Sequence, residues 1–201
     1  MNNVSALARQ ICEVGKRFYD KGWCVATSGN FSARLDGQQI LITVTGKDKG
    51  HLQETDVIVI PAEKESSAEA NASAEAQLHR KIYVARPDAN AVLHLHSPFA
   101  TIISMLGKEA IVLEDYEMLK AIHGVRTHEH RETVPVFPNS QNISEVATAV
   151  KKYLAEHPST DAFLLSGHGL YTWGENVEEA ARHVEAFEFL FECEYRRQIL
   201  K

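Results

Sequence analysis

The sequence predicts an α/β fold in which helices cover a central sheet, and three observations support that prediction. Apolar residues recur at helical spacing near both ends of the chain, short β-rich runs alternate with helical segments between them, and no repeat or low-complexity tract interrupts this order. A chain of 201 residues with 44% hydrophobic content is long enough to bury one substantial core. We therefore expect one domain spanning residues 1–201.

The first third of the chain predicts one helix followed by three strands. A stripe of apolar residues at helical spacing extends from Val4 to Phe18, and Gly22 follows where a helix would stop. Short β-rich runs come next, separated by turn-forming residues: Phe31–Leu35, Ile40–Val44 and Val57–Ile60. The polar, acidic segment 61–71 has few large apolar side chains and is expected to be an exposed loop.

The middle of the chain predicts a helix, a buried strand and a short helix. Ser73 is expected to cap a helix that runs to about Val84, because Pro87 disfavours helical backbone at the residue before it. The compact apolar run Ala91–His96 predicts a strand, and Ser97 with the proline after it would start a short helix ending near Leu106.

The last part of the chain predicts alternating strands and helices. Strands are expected at Ile111–Leu113, Val134–Phe137, Ala162–Leu165 and Leu170–Trp173, with a helical segment at Glu117–Ile122. Asn142, with Glu145 three positions on, predicts a capping box for a helix that reaches Glu156. Asn176 is expected to cap the last helix, because acidic residues favour a first helical turn and follow it directly.

Composition excludes several classes of function. The formal net charge of −6 and the isoelectric point near 5.9 provide no broad basic surface for nucleic acid or anionic lipid, so we expect neither as a partner. Cys12, Cys24 and Cys193 are scattered and odd in number, which favours a reducing compartment and predicts a cytoplasmic protein. The chain contains no basic region followed by an apolar run and no stretch of about 20 apolar residues.

The strongest chemical signal is a pair of histidines two residues apart. His94 and His96 lie in an apolar run, and side chains two apart on a strand share a face, with Cα atoms roughly 6.6 Å apart. Zinc sites that do chemistry keep about three protein ligands and leave a position for water or substrate. His168 is the candidate third ligand, since its two glycine neighbours allow a close approach of the backbone.

Other histidines offer alternatives to this set. His94 and His96 could be ordinary strand histidines, although the third histidine in a glycine turn weighs against that interpretation. The segment His128-Glu129-His130 repeats the spacing without apolar neighbours, so we expect a loop or edge feature with a smaller chance of lining the site. The remaining histidines are expected to be structural or solvated: His51, His79, His123, His157 and His183.

Three polar segments could together bind an anion. Ser28, Gly29 and Asn30 precede a strand, Thr45 and Gly46 follow one, and Ser73 would lie at a helix N-terminus, where the helix dipole favours negative charge. Each segment alone is also an ordinary turn or cap sequence. The chain contains neither GxxxxGK[ST] nor GxGxxG, so a nucleoside triphosphate or a dinucleotide is not indicated.

In their order and spacing, these motifs resemble the class II aldolase/adducin family across nearly the whole chain. The motifs are Ser28 to Ser32, Thr45-Gly46, Ser73-Ala74-Glu75, His94-Leu95-His96 and Gly167-His168-Gly169. Within that family, four further stretches of this sequence resemble the dehydratases most. These stretches are Tyr116 to Lys120, Thr127 to His130, Val134 to Val136, and Asn139.

The resemblance implies a specific architecture and site. It implies a three-layer α/β/α sandwich with a central mixed or antiparallel sheet, assembled as a homotetramer with sites near subunit interfaces. It also implies one Zn²⁺ per subunit on His94, His96 and His168. The phosphate of a small phosphorylated keto-sugar would be held by Ser28, Gly29, Asn30, Thr45, Gly46 and Ser73.

The resemblance suggests two carboxylates for acid/base catalysis. Glu117 lies where the dehydratases have their acid/base group, whereas Glu75 lies where the aldolases have theirs. Without the resemblance, each would be an ordinary acid in a first helical turn. Two alternatives to a zinc-dependent dehydratase stay open at this point: a sugar-phosphate aldolase or 4-epimerase, and a non-catalytic interaction module like the adducin head domain.

Overall fold

A computed structural model describes residues 3–63, 72 and 75–200. Its helices are α1 (Asn3–Asp20), α2 (Ala76–Ala85), α3 (Pro98–Ser104), α4 (Ile143–Glu156) and α5 (Val177–Ile199). Its strands are β1 (Asn30–Arg34), β2 (Gln39–Thr43), β3 (Val57–Pro61), β4 (Ala91–Leu95), β5 (Ala110–Glu114), β6 (Arg131–Phe137), β7 (Ala162–Leu165) and β8 (Gly169–Gly174). Short 3-10 helices occupy Lys49–His51, Glu54–Asp56 and Glu117–Ala121. None of the helices within the described residues combines the length and the apolar character that a membrane span requires.

The strands form one eight-stranded mixed sheet in the order β3-β2-β1-β4-β8-β7-β6-β5. Neighbouring strands are antiparallel except β6 and β7, which are parallel. The apolar strand β4 lies between β1 and β8, and all five of its residues are buried. Its central position explains its composition, because a strand covered on both faces has no solvent-exposed side to make polar.

Helices cover both faces of the sheet, as the alternation of strand residues requires. On one face, Ile40 and Ile42 pack with α2 and α4. On the opposite face, Leu41 packs with α1 and α5, and α3 covers the same face nearer to β7. The three-layer α/β/α prediction is therefore confirmed. The side chain of His94 follows the pattern of Val92 and lies on the α2/α4 face.

The predicted elements are present, with a few differences at their ends. β6 begins three residues earlier than predicted, and β4 ends at Leu95, so His96 lies just beyond the strand. The capping box predicted for α4 is wrong: the Asn142 side chain makes no cap hydrogen bond and instead donates to the Glu145 carboxylate at 2.7 Å. The cap predicted for α5 is confirmed by Asn176 Oδ1, which accepts from the Glu179 amide at 2.9 Å.

The start of α2 differs from the prediction as well. The helix begins at Ala76, and Glu75 precedes it without a side-chain cap hydrogen bond. Ser73, the predicted cap, lies outside the described residues, and so does most of the predicted loop 61–71.

Candidate metal centre

Three histidines and one carboxylate converge at one end of the sheet. His94 lies on β4, His96 directly follows that strand, His168 lies in the β7–β8 turn and Glu75 precedes α2. One potential ligand atom from each of the four lies within 4.8 Å of the others. The Nε2 atom of His94 lies 2.8 Å from Nε2 of His96 and 3.2 Å from Nε2 of His168. Residues separated by 93 positions in the sequence therefore form one group.

The backbone fixes which nitrogen of His94 faces this group. His94 is fully buried, and its Nδ1 lies 2.9 Å from the carbonyl oxygen of Leu170. Because a carbonyl only accepts, Nδ1 carries the proton and Nε2 keeps its lone pair for a cation. The ring also stacks on Tyr171, its cross-strand neighbour, with centroids 3.9 Å apart and planes 13° apart. Packing and hydrogen bonding thus orient this imidazole before anything binds.

Two of the imidazoles, those of His94 and His96, are held in the neutral form that binds metals. Burial is the largest cause that lowers the pKa of His94 well below its usual value, and the nearby His96 and His168 rings lower it further. Burial and then His168 lower the pKa of His96 to about 4. A protonated imidazole cannot ligate a cation, so these environments favour the binding-competent state at neutral pH.

Two glycines allow the loops to reach β4. A Cβ atom on Gly169 would lie 2.1 Å from the Leu95 carbonyl oxygen, and one on Gly29 would lie 2.7 Å from the His94 carbonyl oxygen. Gly29 also has φ +80°, which side chains rarely adopt. Any larger residue would push the His168 turn or the 27–30 loop away from the histidine pair.

Asn30 contacts the carboxylate of the group. Asn30 is the cross-strand neighbour of His94, and its Nδ2 donates to Glu75 Oε2 at 2.6 Å. The Glu75 carboxylate lies 3.4 Å from His94 Nε2 and 3.3 Å from His168 Nε2. The amide of Asn30, predicted to bind phosphate, is therefore also a partner of Glu75.

A polar cavity of about 590 Å³ opens beside the group. Its walls come from the loops at 27–30, 44–46 and 139–141, together with Glu75, His96 and His168. Four predicted phosphate contacts line it besides Asn30: Ser28, Gly29, Thr45 and Gly46. The buried Ser28 hydroxyl has no hydrogen-bond partner among the described residues. Ser73 lies outside those residues.

The donor set fits a divalent cation. Zn–N bonds of about 2.0–2.1 Å at tetrahedral angles separate two ligating nitrogens by roughly 3.3 Å, close to the 2.8 and 3.2 Å between these Nε2 atoms. Imidazole nitrogens suit zinc and also iron, copper and nickel. The group can therefore hold a metal ion, with Glu75 or a substrate oxygen available for a further position.

Glu117 lies apart from this group in the single chain. Its side chain is 73% exposed at the first position of the 3-10 helix after β5, where it bonds Lys120 Nζ at 2.5 Å and approaches His128 Nδ1 at 3.8 Å. It is absent from the described walls of the cavity. The hydrogen bond from Lys120 is the largest cause that lowers the pKa of Glu117.

The second His-x-His segment forms no such centre among the described residues. His128 is exposed beside Glu117. His130 lies just before β6, and its Nε2 is 3.0 Å from the carboxylate of Glu132 within that strand. The expectation of a loop feature is confirmed for this segment.

Sequence patterns do not indicate several residues around the metal centre, namely Tyr171 beneath His94 and the 139–141 wall of the cavity. His79, expected to be structural or solvated, is fully buried and lies 2.5 Å from Asn30 Oδ1. The pairing of β4 with β8 would have identified Tyr171, but that pairing joins positions 77 apart in the chain.

Comparison with known proteins agrees with this geometry. The sequence profile of the class II aldolase and adducin N-terminal domain matches residues 9–195. The chain belongs to this family. The family's fold explains why the histidines at 94, 96 and 168 meet despite their separation in the sequence.

Two bacterial proteins are identical to this chain at nearly half of the aligned residues. The methylthioribulose-1-phosphate dehydratase of Methylococcus capsulatus is 47% identical over 194 residues, covering 96% of this chain and 95% of its own. The Pseudomonas aeruginosa protein of the same name is 46% identical over 197 residues, covering 97% and 96%.

Solved structures of family members share the fold. The L-fuculose-1-phosphate aldolase of Thermus thermophilus superposes with a TM-score of 0.80 at 26% identity, covering 98% of this chain and 97% of that one. YgbL of Klebsiella pneumoniae, described as a putative aldolase/epimerase/decarboxylase, gives 0.82 at 26% identity, with 98% and 91% covered.

Proposed function

We propose that this chain is a zinc-dependent methylthioribulose-1-phosphate dehydratase. It would convert 5-methylthioribulose 1-phosphate to 2,3-diketo-5-methylthiopentyl 1-phosphate in methionine salvage, and we place it in the cytoplasm. The observation that carries the proposal is the convergence of His94, His96 and His168 beside a polar cavity of about 590 Å³. The near-full-length similarity to dehydratases of that name supports the choice of substrate.

The three imidazoles would hold one Zn²⁺ per subunit. When bound, the ion supplies an electrophile that stabilises negative charge developing on the substrate's oxygens, an effect worth several kcal/mol. The neutral state of His94 and His96, set by burial, prepares this site for a cation. The Leu170 carbonyl holds the His94 ring in the tautomer that the ion requires.

The loops around the cavity would bind the phosphate. Ser28, Gly29, Thr45 and Gly46 line the cavity on the side of β1 and β2, and their hydroxyls and backbone amides would donate to the phosphate oxygens. Ser73, at the predicted N-terminal end of α2, is proposed as a further contact. Because this end of the substrate does not react, its binding energy serves to orient the carbons that do.

Glu117 would serve as the general acid/base, and a neighbouring subunit would supply it. Its carboxylate is exposed, is bonded to Lys120 at the surface and does not line the described part of its own chain's cavity, which supports a role in another subunit's site. We therefore propose a homotetramer in which each site combines the histidines of one subunit with Glu117 of the next. Glu75, beside the histidines and bonded to Asn30, is the alternative acid/base.

The reaction removes one water and changes no oxidation state overall. A base takes the proton from C3, the electron pair forms the C3–C4 double bond, and the C4 hydroxyl leaves with a proton supplied by the acid. The resulting enol gains a proton at C4 and becomes the 2,3-diketone. One carboxylate could perform the proton transfers at C3 and C4 in turn, and such transfers contribute about 10²–10⁴-fold to the rate.

The test is a substrate panel run before and after chelation. Incubation with 5-methylthioribulose 1-phosphate should give the diketone, and removing the metal should abolish turnover, which zinc should restore. Fuculose, rhamnulose and ribulose phosphates are the matched comparison, since an aldolase or 4-epimerase would cleave or epimerise them. Cleavage of one of these with no diketone formed would contradict the proposal, and protein without metal or turnover would favour the interaction module.

A further inference from the structure

We propose that His79 is a positioning residue that fixes the orientation of the Asn30 amide and, through it, the place of the Glu75 carboxylate. The proposal deepens the proposed function, on which it rests. It concerns a buried chain of side chains that leads from the metal centre into the interior between α2 and β1. His79 contacts no ligand position directly, so its effect on turnover would be exerted through Asn30.

The side chains of α2 and β1 that form this row are spaced at similar intervals along the helix and the strand. Glu75, His79 and Tyr83 follow at intervals of four, so they share one face of α2 and its N-terminal end, about 6 Å apart along the axis. Asn30 and Ser32 alternate along β1 and share a face about 6.6 Å apart. The two rows therefore interdigitate, and each strand side chain reaches two from the helix row.

Four hydrogen bonds join these residues in sequence. Asn30 Nδ2 lies 2.6 Å from Glu75 Oε2, and Asn30 Oδ1 lies 2.5 Å from His79 Nε2. His79 Nδ1 lies 2.7 Å from Ser32 Oγ, which in turn lies 2.8 Å from the Tyr83 hydroxyl. Ser32 and His79 are fully buried, and Tyr83 is 3% exposed.

The direction of each bond follows from the carboxylate. An ionised Glu75 only accepts, so the Asn30 NH₂ must face it and the Asn30 carbonyl must face His79. That carbonyl requires a proton on His79 Nε2, which leaves Nδ1 as the acceptor of the Ser32 hydroxyl proton. Burial lowers the pKa of His79 to about 4, in keeping with a neutral ring that has one N–H.

Loss of the His79 N–H would release the amide of Asn30. The Asn30 side chain would keep its bond to Glu75, but its carbonyl oxygen would lose its donor in a buried place, which is costly. The side chain would therefore rotate toward another donor and draw the bonded carboxylate with it or release it. Glu75 would then leave its position 3.3–3.4 Å from the ligating nitrogens of His94 and His168.

The experiment compares three variants in the metal-loaded full-length protein. His79→Leu removes both ring nitrogens, and His79→Gln restores an N–H near the Nε2 position. Tyr83→Phe removes the hydroxyl at the far end of the hydrogen-bonded row but leaves the His79–Asn30 bond intact. For each variant, kcat, KM, metal content and melting temperature are measured with 5-methylthioribulose 1-phosphate.

We expect His79→Leu to lower kcat about 10–100-fold, the range typical of residues that orient a metal site's groups, with KM within about twofold. His79→Gln should recover most of that loss. Tyr83→Phe should lower the melting temperature while kcat stays within about twofold, because the bond to Asn30 remains.

Two results would overturn the proposal. One is a kcat for His79→Leu equal to that of the wild type, and the other is a loss of kcat in Tyr83→Phe and His79→Gln as large as in His79→Leu. The second result would mean that these hydrogen bonds affect kcat only by stabilising the fold. Wild-type turnover in the same assay tests the proposed function separately, because a wild type that makes no diketone would refute that function before any variant is compared.

Discussion

Two segments with the same His-x-His spacing adopt opposite environments in this molecule. His94-Leu95-His96 lies at a central strand, with His94 fully buried, whereas His128-Glu129-His130 lies in a loop where the His128 side chain is 54% exposed. The first pair meets a third histidine and a carboxylate. Spacing alone therefore does not make a metal site, and the residues around the pair decide.

The physical difference lies in what flanks each pair. Leu93 and Leu95 point to the α1/α5 side of the sheet and hold β4 in the core, so His94 between them must face the opposite layer, where its ring meets that of His96. Glu129 offers no such anchor, and the segment precedes β6 as a turn. Burial then lowers the pKa of the first pair, which keeps it ready to bind a cation.

The largest expected effect is the loss of metal from the first region alone. His168→Ala should lower metal affinity by more than about 100-fold, since even groups that only orient ligands contribute 10–100-fold. Turnover should fall with metal content. His130→Ala is the matched control, and elemental analysis of both purified variants provides the measurement. Equal metal content in the two variants would contradict the assignment of the metal site to the region of His168.

The second prediction concerns Glu117, which lies in the exposed region. Glu117→Gln should lower kcat about 10²–10⁴-fold with metal content unchanged, because the amide cannot transfer the proton. Near-normal turnover would remove Glu117 from the mechanism and leave Glu75.

Mixed oligomers sharpen this prediction. Co-expressed Glu117→Gln and His168→Ala subunits should recover activity that neither has alone, because sites that pair an intact histidine set with a neighbour's Glu117 are complete. Mixed oligomers as inactive as their parents would mean that each subunit uses its own Glu117.

A pH dependence of stability follows from the buried carboxyl group of Glu188. Its Oε1 accepts from the hydroxyl of Ser97, the residue after His96, at 2.5 Å, and burial raises the pKa of Glu188 from 4.5 to about 8. The folded state therefore keeps a proton that the unfolded chain releases, so stability falls as the pH rises from about 4.5 to about 8 and then levels off.

Glu188→Gln removes this dependence. The free energy of unfolding of the variant relative to the wild type should rise by roughly 3–4 kcal/mol between pH 5 and pH 8.5. Urea unfolding at both pH values measures the change. A constant difference between the two proteins would show that Glu188 ionises normally.

The smallest expected effect is on the free energy of unfolding, and it concerns the N-terminal ends of α4 and α5. Asn142 and Asn176 each have a glutamate three positions on, but only Asn176 accepts from the helix backbone. Asn176→Ala should lower the free energy of unfolding by about 1 kcal/mol, whereas Asn142→Ala should change it by less than about 0.5 kcal/mol. Equal losses in denaturant unfolding would contradict the cap assignment.

Local patterns predicted the elements of the fold and the three histidines, because apolar periodicity and glycine turns act over a few residues. The contacts of Asn30 with Glu75 and His79 could not be predicted this way, since they depend on the register between β1 and α2. The proposed role of Glu117 is a similar case. Its local sequence resembles the dehydratases, but a role in a neighbouring subunit's site would depend on contacts between chains, which local patterns do not encode.

X-ray absorption at the zinc edge of purified, active protein would show whether three imidazoles of one chain hold a catalytic zinc ion. We expect one zinc per chain with three imidazole nitrogens at about 2.0–2.1 Å and oxygen in the remaining positions. A sulfur ligand at about 2.3 Å, or fewer than three imidazoles around the ion, would contradict it.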